Sequence, residues 1–370
     1  MVYFNYFWLR DNCPTAWDSS TQERTFDILE EPDDLHATSA WLNEHSLEVI
    51  WSDGYQSRYR LNWLSRWHKG ENHGDLAVRA RKTWCGDHYP DMARFTYDDL
   101  MAKPASVADW AEAMLDEGVA LIKGMPNSDQ GLKTLCELFG TVRPSFSGYT
   151  FDVQSKANPE NLAYTSKALE LHTDLPAEEL APGIQFLHCR ANDAQGGNSL
   201  LVDATAVANV LKQQYPQYFK ILTEYQVPYR YTTDYQDVRT KQRIIELDPN
   251  NGEVSGINFS QHLADVFDFS QREMDTFYPA FRKFGQMLQD PQYLMTFRLK
   301  AAECIVFDNH RIAHGRAAFT KGSGARHLRG CYVDRGDLRS TYRVLRAKYP
   351  KEEMAAPLQP SIEIESIETC

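Results

Sequence analysis

His172, Thr173 and Asp174 set an imidazole and a carboxylate two positions apart, and a further histidine, His314, stands far downstream in the run DNHRIAHGR. Two histidines and one carboxylate on one face of an octahedron are the ligand set of non-haem iron(II) oxygenases. Three coordination positions are then left for a chelating keto acid and dioxygen. About one His-x-Asp is expected by chance in a chain of this composition, and a second, His73-Gly-Asp75, is present. It lies in a polar stretch without strand character and reads as surface. His310 competes with His314 for the distal position.

A keto-acid carboxylate buried beside such a metal needs a planar, permanently charged, bidentate donor, which is arginine. Arg326 lies 12 residues after His314, at the start of the strand-like run ARHLRGCYV. Arg316 and Arg329 are its rivals.

The elements that must position these groups can be read coarsely. Apolar runs predict strands at 119–124, 184–189, 199–202, 295–299, 304–307 and 328–333. Helices are predicted from Ser106 as N-cap to Asp116, around 132–138, and over 204–213 and 271–288. Strands joined by long irregular connections predict a mainly β protein with flanking helices, a jelly roll. Before it, residues 1–80 read as a small β-rich domain dense in tryptophan (8, 17, 41, 51, 63, 67), with Asp53-Gly54 as a turn. The polar stretch from Lys69 to about Phe95 reads as a linker, residues 81–370 as the oxygenase domain, and the chain from Lys351 as a loose tail.

Composition narrows the partners. A net charge of −12 argues against a general nucleic-acid binder. No apolar run approaches the roughly 20 residues of a membrane span, and the first residues lack the pattern of a signal peptide. Seven scattered cysteines, never as C-x-x-C, predict reduced thiols and a cytoplasmic location.

The runs LAYTSKALELHTDLPAEELAPGIQFLHC, GGNSLLVD, IIELD, GINFS, FDNHRIAHGR and RHLRGCYVD together resemble gamma-butyrobetaine hydroxylase-like enzymes, in the taurine dioxygenase-like branch of the 2-oxoglutarate oxygenases. FWLRDNCP resembles the start of their small N-terminal domain, and the resemblance runs from about Phe7 to about Leu345. It implies a double-stranded β-helix, metal ligands at His172, Asp174 and His314, and Arg326 on the 2-oxoglutarate carboxylate with Ser199 of GGNS as a hydroxyl donor. It also implies iron(II), dioxygen as second co-substrate and ascorbate as a supporting reductant.

Two departures from the family pattern stand out. Its N-terminal domain commonly binds a structural zinc through three cysteines and a histidine. Here Cys13 matches the first cysteine, but Thr15, Asp18 and Gly54 occupy the other positions. One thiol cannot build a tetrahedral zinc site, so no zinc is expected, and the tryptophan-rich core is expected to hold the domain instead. In the substrate pocket, the resemblance keeps aromatics at Phe151, Tyr164 and Tyr332 but sets Ser147 and Leu175 where further cage aromatics belong. Asn161 and Asn258 match the residues that hold the substrate's acidic end.

The expected activity is hydroxylation of a small zwitterionic amine or betaine related to gamma-butyrobetaine. The alternatives are a 2-trimethylaminoethylphosphonate-type substrate and a non-catalytic jelly-roll binding protein. A zinc hydrolase gives Arg326 no role and offers no general base. Neither nucleic acid nor membrane is an expected partner, and a homodimer is allowed.

Overall fold

The computed structural model describes residues 2–70, 75–146, 148–154 and 165–351. Its contacts divide the described residues into two compact units, one up to Asp75 and the other Leu76–Lys351. The expected tail beyond Lys351 lies outside the described residues. Among the described residues no helix is long and apolar enough to cross a membrane.

In the first unit, helix α1 (Tyr6–Asp11) precedes a three-stranded antiparallel sheet of β1 (Ala37–Leu42), β2 (Ser46–Trp51) and β3 (Gln56–Arg60), followed by helix α2 (Leu61–Trp67). Gly54 turns the β2–β3 hairpin at φ +83, a conformation that glycine adopts without steric cost. The tryptophans are not the core that their number predicts. Trp51 alone is fully buried, donating Nε1–H to Ser57 Oγ at 2.8 Å, whereas Trp17, Trp41 and Trp67 are exposed. Leu9, Val49, Tyr59 and Leu64 complete the core, and Arg10 lies over the rings of Phe26 and Tyr55. Where the family pattern has its zinc ligands, buried Cys13 Sγ meets Thr15 Oγ1 at 3.1 Å, and Thr15 in turn hydrogen-bonds the Tyr55 hydroxyl. Asp18 accepts instead from Ser20 and Thr21 in its own turn. These residues form a hydrogen-bonded network with one thiol and do not fit a zinc ion.

The second unit runs β4 (Arg94–Thr96), α3 (Tyr97–Ala102), α4 (Pro104–Asp116), β5 (Val119–Lys123), α5 (Asp129–Glu137), β6 (Phe151–Gln154), β7 (Leu169–His172), β8 (Ile184–Asn192), β9 (Ser199–Asp203), α6 (Ala204–Gln214) and α7 (Pro216–Glu224). It continues through β10 (Gln226–Thr232), β11 (Asp237–Arg243), β12 (Ile245–Leu247), β13 (Val254–Ile257), α8 (Gln271–Leu288), β14 (Met295–Phe297), β15 (Glu303–Asp308), β16 (Ile312–Arg316), β17 (Arg326–Val333) and α9 (Arg335–Lys348). A six-stranded sheet has the order β4-β5-β15-β8-β17-β6, and a four-stranded sheet the order β14-β9-β16-β7. All pairings are antiparallel except β4 with β5.

Strand alternation builds the layers. Val119, Leu121, Ile305, Phe307 and Leu328 of the larger sheet pack with Leu201, Met295, Phe297 and Ile312 of the smaller one, so the two sheets meet face to face. Ala120, Ile122, Cys304, Val306, Cys331 and Val333 point the other way, onto Trp110, Met114, Leu135 and Tyr342 of α4, α5 and α9. In that layer the Cys136 and Cys331 sulfurs lie 3.0 Å apart as free thiols. Val202 and Ala313, on the outer face of the smaller sheet, pack under α6, α7 and α8.

The helices start where local chemistry allows. Helix α4 begins at Pro104 rather than after Ser106, because proline's fixed φ suits the first helical position. Ser270 and Glu273 form a capping box for α8, which buries Phe277, Phe281, Phe284 and Leu288. The stretch expected as a linker is packed from Leu76 onward. Trp84 and Met92 enter the inter-sheet core, and Arg79 binds Asp116 through Nε and Nη2 at 2.5 and 2.9 Å.

A buried ion pair ties these layers together. Arg311 and Asp203 have side chains 1% and 0% exposed and meet at 2.8 Å. Arg311 also donates to the carbonyls of Asp116 and Lys82, while Asp203 accepts from Thr205 and Ala206 at the start of α6. Gly118 makes room for the arginine, since a Cβ there would meet Arg311 Cδ at 2.8 Å. Arg311→Ala leaves the aspartate charged and alone, so it should lower stability by about 3–5 kcal/mol. Chemical denaturation, followed through its midpoint at unchanged m-value, checks this.

Candidate active site

Strands β7 and β16 are antiparallel neighbours with His314 opposite His172. Their rings are 4.3 Å apart between centroids. Asp174 follows β7, with Oδ1 3.1 Å from His172 Nε2 and 3.6 Å from His314 Nε2. One ligand atom from each of the three lies within 4.8 Å of the others, the only such group among the described residues.

The turn that carries Asp174 is clamped from three sides. Asn309 Oδ1 accepts from the Asp174 amide at 2.6 Å, and its Nδ2 donates to the carbonyls of Asp174 and Pro182. Thr173 and Phe259 exchange hydrogen bonds. Leu175, next in the chain, holds φ at +56, in the left-handed region where a branched side chain is disfavoured. Strain of this kind persists only where neighbours impose it.

The electrostatics suit a cation. His172 Nδ1 lies 2.8 Å from the Glu170 carbonyl and donates to it, which turns Nε2 toward Asp174. Burial pushes the His314 imidazole down to about 3, which keeps it neutral, and its Nδ1 is buried without a hydrogen-bond partner among the described residues. Burial also opposes ionisation of Asp174. The facing His172 and the Tyr332 hydroxyl outweigh it and hold that carboxyl well below the usual range. Tyr332 donates to Asp174 Oδ2 at 2.6 Å, fixing which oxygen remains for a metal. Imidazole nitrogens and one ionised carboxylate oxygen fit iron(II) by donor type.

The three face a cavity of about 110 Å³ between the sheets, whose walls include Arg316, Arg326, Ser199 and Leu175. Arg326 is buried and ion-pairs with no carboxylate among the described residues. Its pKa falls to about 10, by burial first and then by the like charge of Arg316, and it stays charged at neutral pH. Gly197 explains part of the GGNS run, because a Cβ there would meet Arg326 Nε at 3.1 Å. Arg316 donates to the carbonyls of Thr165 and Lys167. Arg329 points away and pairs with Asp152 and Asp129. His310 is also elsewhere, at 3.0 Å from the Ala181 carbonyl.

The predicted pocket residues divide. Phe151 and Tyr332 line the cavity, stacked at 5.2 Å. Asn258 does not reach it; its Nδ2 donates to the Arg243 carbonyl and to Glu246 Oε1. Ser147, Asn161, Tyr164 and His73 lie outside the described residues. The structure adds wall residues that the sequence reading missed: Phe146 and Tyr231, stacked at 4.1 Å, together with Gln185 and His262. Asn309 was in plain view in FDNHRIAHGR, and only its amide contacts reveal its part.

Residues 82–332 match the family described as taurine catabolism dioxygenase TauD, TfdA family. The gamma-butyrobetaine dioxygenase of Pseudomonas sp. (strain AK-1) is 36% identical over 347 residues, covering 92% of this chain and 90% of that protein. The human gamma-butyrobetaine dioxygenase is 30% identical with the same coverage, 92% and 90%. The human mitochondrial trimethyllysine dioxygenase is 27% identical, over 93% of this chain and 83% of that one. The crystal structure of AAD-2 in complex with Mn(II) and N-oxalylglycine superposes with a TM-score of 0.51 at 15% identity, over 63% of this chain and 90% of that chain, a likeness of fold.

One glycine sets the width of the cavity. A Cβ on Gly330 would come within 2.4 Å of the Phe151 ring. Gly330→Ala should therefore expel that ring from its stack on Tyr332 and cost about 1–3 kcal/mol through overpacking. A crystal structure of the variant and a melting curve check both.

Proposed function

From the premise that this chain belongs to the TauD/TfdA family and is an iron(II)- and 2-oxoglutarate-dependent dioxygenase of betaine-like amines, we propose that His172, Asp174 and His314 hold the iron. Arg326 holds the distal carboxylate of 2-oxoglutarate, with Ser199 as a hydroxyl donor. One conjunction carries this reading: the buried three-ligand cluster and a buried arginine without a carboxylate partner share one cavity. When bound, iron(II) with 2-oxoglutarate and dioxygen supplies the oxidative decarboxylation that puts one oxygen atom into a substrate C–H bond and leaves succinate and carbon dioxide.

The chain's own residues do the rest. Tyr332 and Asn309 orient Asp174, and the Glu170 carbonyl orients His172. Apolar walls, among them Leu187, Leu201, Ile305 and Phe307, keep bulk water away. The facing sheets are the two halves of a double-stranded β-helix.

The substrate is a small zwitterion whose cationic end packs on aromatic faces, with Phe151 and Tyr332 as the cage residues retained. Leu175 and Ser147 supply no aromatic face, so gamma-butyrobetaine itself should turn over less well than some related zwitterion. Ascorbate supports turnover, the N-terminal unit carries no structural zinc, and the protein works in the cytoplasm.

Succinate release measured across betaines, amino acids and phosphonates tests the reading, and a protein that consumes no 2-oxoglutarate with any of them refutes it. Arg326→Ala should weaken 2-oxoglutarate about 30- to several-thousand-fold, and an unchanged dissociation constant would move the role to Arg316. Elemental analysis of protein purified without added zinc should find no stoichiometric zinc, and Cys13→Ser should stay folded. One zinc per chain, lost in that variant, would overturn the expectation.

A further inference from the structure

Gln185 is the second residue of β8, a central strand of the larger sheet, flanked in register by Phe307 of β15 and Tyr332 of β17. Its residue is 1% exposed, yet its side chain faces the cavity. The amide oxygen is buried without a donor among the described residues. Its nearest inward neighbours on that sheet are apolar or already engaged. Leu187, Ile305, Phe307 and Leu328 are hydrocarbon, and Tyr332 gives its hydroxyl to Asp174. An unpaired buried amide oxygen costs stability that leucine at the same position would not, so its use must lie with something that enters the cavity.

Its position says what. The two residues that flank Gln185 each touch a different member of the metal cluster. Tyr332 binds Asp174 Oδ2 at 2.6 Å, and the Phe307 ring lies 4.8 Å from that of His314. Gln185 therefore stands on the sheet facing the cluster, at the level of its ligands. Arg326 is at the other end of β17, paired with Asn192 while Tyr332 pairs with Gln185. A molecule that spans from Arg326 to the metal brings its far end to Gln185. An amide offers two N–H donors and one acceptor, and a half-turn of its last torsion exchanges them.

We propose that Gln185 is a co-substrate-binding residue whose N–H donates to the metal-chelating, keto-acid end of 2-oxoglutarate, opposite the carboxylate assigned to Arg326. The proposal rests on the function proposed above. It separates two demands on one residue, since the group that serves the bound state is a burden on the empty fold.

The test uses the whole protein with Mn(II), which binds at such sites without turnover, and reads two quantities. Without metal or co-substrate, Gln185→Leu should melt about 2–4 °C higher than the parent protein. With Mn(II), it should bind 2-oxoglutarate about 10- to 150-fold more weakly, by titration calorimetry. Gln185→Glu keeps the size and an acceptor but removes the donors, and it should also bind the keto acid weakly. A leucine variant that melts lower and binds 2-oxoglutarate like the parent overturns the proposal in favour of a packing role. A dissociation constant unmoved in both variants, with a raised KM for the amine, assigns the residue to the substrate instead. If the parent protein itself fails to bind 2-oxoglutarate with Mn(II), the function proposed above has failed first.

Discussion

A slip of one residue between β7 and β16 would turn His314 away from His172, because side chains alternate between the faces of a strand. The site therefore depends on the register of a single antiparallel pair, and much of the surrounding structure maintains it. Gly315 lets β16 approach β7 so closely that a Cβ would meet the Leu169 carbonyl at 2.6 Å. Arg311, just before β16, is held by Asp203 and by the carbonyls of Asp116 and Lys82. Asn309, two residues earlier, reaches across to clamp the Asp174 turn. The run DNHRIAHGR thus holds a proposed metal ligand together with the residues that aim it and its partner.

Charge follows from that geometry more than from composition. The chain is acidic overall, yet the cavity carries two buried arginines against the single carboxylate of Asp174. A divalent cation and a dianionic keto acid carry equal and opposite charge, so the pair enters without changing that balance. The overall acidity, spread over solvated side chains, is screened within about a Debye length and has little influence on what the cavity accepts.

The residues proposed to carry the chemistry were legible in the sequence because their types are scarce and their spacing is constrained. His172, Asp174, His314 and Arg326 come together between the sheets, and the rivals His310 and Arg329 do not. What was not legible has physical reasons. Gln185 looks like an ordinary strand residue until its neighbours are known. Phe146 and Tyr231 meet from distant segments, and β11 beside Tyr231 alternates charged and polar residues with little apolar content. Asn258, given a substrate role by resemblance, spends its amide on Arg243 and Glu246. Helix α9 was overlooked because its buried stripe includes Arg346, whose guanidinium pairs with Asp109 and Glu112 on α4. Among the tryptophans, abundance was mistaken for burial: three face solvent.

Asp203 has two duties at once. It pairs with Arg311 at the start of β16, and it caps α6 through the amides of Thr205 and Ala206. Neither end can come apart without exposing a buried charge, so the helical layer of α6–α8 and strand β16 share one cooperative opening. In native-state hydrogen exchange, the amides of β16 and of the first bonded turn of α6 then belong to a single unit of protection. Strand β16, which bears His314, is thereby as long-lived as the helices that cover its outer face.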